Sequence, residues 1–158
     1  MPKTLDSVIK AALEKKIGEQ VWKILKDHID EEIYKHPIRS NDDDHRSRYR
    51  QRRSGGLLNE ADKYIKVLHE PGSNQYTLRV TTTAPPSPST LGWAWVPSIG
   101  GFLQMLEIGD LGYVSKGRKK TRTLFPRPAI STAQDEVNRN KKKYEAEIYA
   151  AINKAMSR

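Results

Sequence analysis

Residues 5–33 carry apolar side chains at Leu5, Ile9, Ala12, Leu13, Ile17, Val21, Ile24, Leu25, Ile29 and Ile33. Spacings of three and four over that length describe one long helix with a single apolar stripe. Thr4 is placed to cap its start, Asp6 lies in the first turn, and Pro37 forbids continuation. Lys10/Glu14, Glu19/Lys23, Lys26/Asp30 and Glu31/Lys35 stand four apart and are expected as ion pairs on the outer face. About thirty helical residues make a rod of roughly 45 Å, longer than the body of a small domain. Gly18, in the middle of it, costs about 1 kcal/mol relative to alanine. It therefore marks a bend or a close approach of another backbone.

A rod of this kind must bury its stripe against something, and the remainder of the chain offers β-structure and one more helix. Lys63-Tyr64-Ile65-Lys66-Val67-Leu68-His69 and Gln75-Tyr76-Thr77-Leu78-Arg79-Val80-Thr81 are β-rich runs joined by Glu70-Pro71-Gly72-Ser73-Asn74, the pattern of a hairpin with a longer turn. Alternation puts Tyr64 or Ile65 with Leu78 and Val80 on the buried face. Gly100-Gly101 reads as a turn before a short helix over 102–106, and residues 110–124 as a loop or hairpin with a charged tip. Ser131-Thr132-Ala133-Gln134 is a capping box for a last helix, whose stripe is Ala133, Val137, Tyr144, Ile148, Ala151, Ile152 and Ala155. The expected fold class is α+β: a long N-terminal helix and a C-terminal helix packed on a small, mostly antiparallel β-sheet with extended loops.

One domain fits the 158 residues, divided as a long helix (5–35), a charged arm (38–56), a β-hairpin region (57–83), a proline-rich loop (84–98), a short helix with a basic loop (99–130) and the C-terminal helix (131–157). The core is lean. Hydrophobic residues are 36% and the ten glycines raise that to about 42%, below the ~45–50% usual on this count. Part of the chain is thus expected to order only on a partner. No run reaches the ~18 apolar residues of a membrane span, and the start lacks the apolar block of a signal peptide, so no membrane association is expected.

Charge is unevenly spread. The chain carries a net +9, with basic clusters at Arg46, Arg48, Arg50, Arg52, Arg53 and at Lys116, Arg118, Lys119, Lys120, Arg122. Acidic blocks stand at Asp30, Glu31, Glu32 and at Asp42, Asp43, Asp44. Such segregation favours docking between copies or with nucleic acid. Tyr49 inside the arginine arm could stack on a base while its neighbours neutralise phosphates, or the arm could pair with an acidic protein surface. Trp93 and Trp95 are alternate residues of an extended segment and point the same way, either into the core or into an intersubunit contact.

Catalysis is disfavoured. With no cysteine there is no thiolate metal site or cysteine nucleophile. Asp42, Asp43, Asp44 and His45 imitate a metal cluster, yet adjacent aspartates in a loop diverge. His28, His36 and His69 are scattered, and neither a phosphate loop nor a dinucleotide fingerprint occurs. No catalytic residue, metal or cofactor is expected.

Three segments resemble the tail-completion proteins of tailed bacteriophages, the neck or head-tail connector family. Tyr49-Arg50-Gln51-Arg52-Arg53-Ser54-Gly55-Gly56-Leu57 is similar to the segment following the long first helix in that family. Leu106-Glu107-Ile108-Gly109 resembles its "Ile-Glu-aromatic-Gly" segment, and Pro126-Arg127-Pro128-Ala129-Ile130 its Arg-Pro-aromatic opening of the last helix, with Ala129 in the aromatic's place. The likeness spans about residues 5–156. It implies a non-enzymatic virion protein, made in the host cytoplasm, that forms a six- or twelvefold ring of its own copies between the portal or adaptor and the tail. DNA would pass non-specifically through the lumen. The implied interface residues are Tyr49, Arg50, Arg52, Arg53, Gly55, Gly56, Leu57, Trp93, Trp95 and Arg127. Lys116, Arg118, Lys119, Lys120 and Arg122 are the candidates for facing DNA. The competing expectation is a small basic nucleic-acid-binding protein that uses the arm at 46–53; a hydrolase built on residues 42–45 ranks third.

Overall fold

The computed structural model describes residues 4–35, 56–84, 99–108, 110–115, 118–123 and 126–157, with backbone alone for 110–115 and 118–123. The long helix is present as four consecutive pieces: α1 (Leu5–Ala12), a π turn (Leu13–Ile17), α2 (Gly18–Ile29) and a second π turn (Asp30–Tyr34). Thr4 caps it, its hydroxyl accepting the Ser7 N–H at 3.2 Å. Burial follows the stripe unequally. Ala12, Ile17, Trp22, Leu25, Ile29 and Ile33 are buried, whereas Leu5 is half exposed.

The first hairpin pairs β1 (Lys63–Leu68) with β2 (Thr77–Thr82), antiparallel, with Ile65 opposite Val80 and Val67 opposite Leu78. Of the two residues offered for the buried face, Ile65 takes it: it packs with Val80 against the core, and its side chain lies over the rod. Gly18 is the reason it can. A Cβ there would stand 2.5 Å from Ile65 Cγ2, so the close approach expected at this glycine is made by a side chain of β1.

Only one of the four expected ion pairs along the rod takes its expected form: Lys35 bonds Glu31 at 2.8 Å. Most of the other side chains are drawn to the hairpin or the turn before it, because the face read as outer is partly covered, and Lys10 pairs within the rod. Lys26 reaches Glu60 at 2.6 Å, Glu19 holds Lys63 at 2.8 Å, Glu14 accepts the Val67 N–H at 3.2 Å, and Lys10 turns back to Asp6 at 3.0 Å.

Helix α3 (Gly101–Ile108) follows Gly100, whose φ of +78° makes the turn. A second hairpin, β3 (Asp110–Ser115) with β4 (Arg118–Thr123), follows α3 and forms a separate two-stranded sheet. The chain ends in α4 (Ala129–Arg139) and α5 (Lys141–Met156). This corrects the expected single helix over 131–157. The break falls at Asn140, where ψ is 4°, and the helix opens at Ala129, ahead of the anticipated capping box. Ser131 does not cap; its hydroxyl donates to the Pro128 carbonyl, and the free N–H groups are met from α3 instead. Together α4 and α5 run back along the rod: His28 meets Glu136 at 2.7 Å, and further toward the rod's start Gln20 donates to Glu147 at 2.8 Å. The core lies at the far end of the rod, where Trp22, Leu25, Ile29 and Ile33 meet Leu57, Ala84, Phe102, Leu103, Leu106, Ala129 and Ala133. The class is α+β, mostly helical with small antiparallel hairpins.

Candidate functional site

Three stretches far apart in the chain come together at that end. Gly56–Leu58 forms a 3-10 turn in which Leu57 is wholly buried and its N–H donates to the Tyr34 hydroxyl at 3.1 Å. The last turn of α3 carries Leu106 and Glu107. The Leu106 carbonyl accepts the Arg127 N–H at 3.0 Å. Glu107 spans the start of α4, its two oxygens accepting the N–H groups of Ile130 at 2.8 Å and Ser131 at 3.1 Å. A carboxylate there meets both the unbonded donors and the positive end of the helix dipole. Leu57, Leu106 and Ala129 then share one apolar cluster.

A polar belt fastens this cluster to the rod. The Trp22 indole N–H lies 3.0 Å from each oxygen of Glu60, and Lys26 and Lys63 approach the same carboxylate at 2.6 and 3.4 Å. Lys26, then the indole, hold the Glu60 carboxyl down to about 2. Glu19 in turn raises Lys63 above the ordinary lysine range. At the opposite end Asp6 gathers Lys10 at 3.0 Å, the Tyr76 hydroxyl at 2.8 Å and His69 at 3.3 Å, while the His69 ring stacks on Tyr76 at 4.2 Å. Lys10 first and Tyr76 second lower the Asp6 carboxyl, and Asp6 raises the Tyr76 phenol.

The residues singled out from sequence fall into three groups. Tyr49, Arg50, Arg52, Arg53, Gly55, Trp93, Trp95 and Lys116 lie outside the described residues, as do Asp42, Asp43, Asp44 and His45. Arg118, Lys119, Lys120 and Arg122 lie on β4, opposite Ser115, Val114, Tyr113 and Leu111. Gly56, Leu57 and Arg127 belong to the convergence, but with Leu57 at 0% and Arg127 at 1% exposure both side chains pack inside this chain. The backbone turns they anchor bring the segments together.

Sequence reading missed Trp22, Tyr34 and Glu60, and quoted Glu107 in a signature without giving it a partner. Trp22 stands four residues after Gly18 and three before Leu25, in phase with the stripe, and could have been read. Glu60 and Glu107 could not, since their partners are fixed by tertiary contacts. Among the described residues no group of three or more histidine, aspartate or glutamate side chains is arranged to hold a metal ion, and no helix is long and apolar enough to cross a membrane.

No family model matches the chain, and neither the curated proteins nor the solved structures include a significant match to it.

Proposed function

We propose that this chain is a structural subunit of a bacteriophage neck, a tail-completion protein that joins the portal or adaptor of the head to the tail as a six- or twelvefold ring. The observation that supports it is the convergence just described. The segments carrying the resemblance, at Gly56-Leu57, at Leu106-Glu107 and at Arg127-Pro128-Ala129, are far apart in the chain, yet Leu57, Leu106 and Ala129 share one apolar cluster, and the second segment is hydrogen-bonded to the third and to the start of α4. Residues recurring in that order are accounted for if they build one structural junction.

The reading gives the parts mechanical roles. A rod clamped by two further helices is a stiff spacer. Strand β4, which follows α3 and carries Arg118, Lys119, Lys120 and Arg122, is the segment whose charge would meet the passing DNA or an acidic neighbour. Neither role needs a reacting group.

Particles assembled without this chain should accumulate as filled heads beside unattached tails, and electron microscopy of complete particles should find the chain as a closed ring at the junction. Intact, infectious particles lacking it would overturn the reading. Free chain that instead binds duplex DNA tightly, with log K falling by about 0.9 per neutralised phosphate per unit log salt, would favour the nucleic-acid-binding alternative.

A further inference from the structure

An open apolar trough of about 440 Å³ runs along the rod from Leu13 to Leu25, where it reaches the edge of the core at Leu25 and Ala133. Leu13, Ile17 and Val21 form its floor; Val137, Tyr144 and Ile148 of α4 and α5 form one wall, and β2 forms the other. Four consecutive residues of β2, Thr77 to Val80, border it. Since successive strand residues point to opposite faces, a cavity that touches all four meets the edge of the strand.

That edge is open. The Thr83 N–H donates to the Asp62 carbonyl at 2.8 Å, which sets the phase of the ladder. In the register of β1 and β2, Thr81, Arg79 and Thr77 are then bonded to the partner strand, and the N–H and C=O groups of Leu78 and Val80 point outward. On β1 the matching outward N–H, that of Val67, is taken by the Glu14 carboxylate. Among the described residues nothing does the same for Leu78 or Val80.

An edge with unpaired donors and acceptors above an apolar floor selects an extended backbone. A docked helix would spend its own backbone bonds internally and leave the edge unmet. Charge narrows the choice further. Arg79 borders the trough, and exposed Lys141 stands on the helical stripe between Val137 and Tyr144, with Glu145 at 3.9 Å its only ion-pair partner among the described residues. Among the described residues no carboxylate lines the trough, and the chain carries +9.

We infer that this trough receives an extended segment of a partner protein, which adds as a third strand to β2, sets apolar side chains of alternate residues on half-buried Leu13 and Val21, above the buried Ile17, and carries acidic residues between them. The surface is a property of the isolated chain and does not depend on a ring being formed.

The test uses the full-length, isotope-labelled chain and a short capped peptide of alternating valine and glutamate. Amide shifts should concentrate at Leu78, Val80, Ile17 and Val137, and the Leu78 and Val80 amides should become protected from exchange. N-methylation of the peptide nitrogens that face β2 leaves the protein untouched and should weaken binding about tenfold, the effect of one or two lost backbone hydrogen bonds. A lysine–valine peptide should bind more weakly, by a margin that Arg79→Glu narrows and added salt erodes. Equal binding of the N-methylated peptide would overturn the inference, as would shifts located elsewhere. So would Leu78 and Val80 amides already protected in the free monomer, which would mean the chain's own backbone pairs there. Protection that arises only with rising protein concentration would assign the edge to a second copy and equally overturn it.

Discussion

The two ends of the rod are held by different physics. From Trp22 to Ile33 the stripe meets Leu57, α3 and α4, and residues such as Ile29, Phe102, Leu103 and Leu106 are at most 2% exposed. From Leu5 to Val21 it meets a hairpin and a helix that leave a trough between them, with Leu5 and Leu68 roughly half exposed. There the clamping comes mostly from partly exposed polar contacts: Asp6 with Lys10, Tyr76 and His69, and Glu147 with Gln20 and Lys16. Buried apolar contacts are worth kilocalories each, whereas exposed ion pairs are worth a few tenths to about 1 kcal/mol. One end is a core; the other is a set of clips around a vacancy.

The sharpest way to break this contrast is a matched pair of truncations. Leu106→Ala should cost about 2–5 kcal/mol in denaturant unfolding, because the emptied volume is enclosed on all sides. Ile9→Ala, at a half-buried position on the other end, should cost about 1 kcal/mol. Equal costs would mean that the first half of the rod is as tightly packed as the second.

A smaller effect tests how the core end is tied together. Glu107→Ala removes the acceptor shared by the Ile130 and Ser131 N–H groups and should lower stability by about 1 kcal/mol, with amide exchange accelerated in the first turn of α4. If exchange there is unchanged, the junction between α3 and α4 does not depend on this carboxylate.

The smallest expected effect is in acid. Glu60 holds its proton less tightly in the folded chain, at about 2, than in the unfolded chain, at 4.5. As pH falls the unfolded chain binds the proton first, so stabilisation present above pH 4.5 is lost as pH drops toward about 2. Glu60→Gln should flatten the fall in unfolding stability across that window. An identical slope in the variant would show that solvent screens the contacts of Glu60 with Trp22, Lys26 and Lys63.

Legibility in the sequence followed the same division. The rod, the first hairpin, the turn at Gly100 and the stripe of the last helices were all readable, because each depends on periodicity or on one residue's backbone preference. The start of α4 was not. A serine box at Ser131 looks complete in the chain, but Glu107 reaches the same donors from another helix, and a carboxylate there outcompetes a hydroxyl. The outward pairs along the rod failed for a related reason. Glu14 and Glu19 had partners four residues away in sequence and nearer ones, Val67 and Lys63, on the hairpin that covers them. The meeting of Leu57, Leu106 and Ala129 in one cluster was not legible, because it is a tertiary fact.

The π turn at Leu13–Ile17 also alters how the stripe should be counted. The buried residues Ala12 and Ile17 are five positions apart, a step that in a uniform α-helix would swing the second side chain well away from the first. A turn closed by i to i+5 hydrogen bonds takes up the extra residue without that swing. The rod is therefore two α-helices spliced in phase, and the surplus residue bulges at the floor of the trough, where Leu13 and Ile17 sit at its two ends. What looks like one helix with an irregular stripe is a single surface kept straight by a local change of pitch.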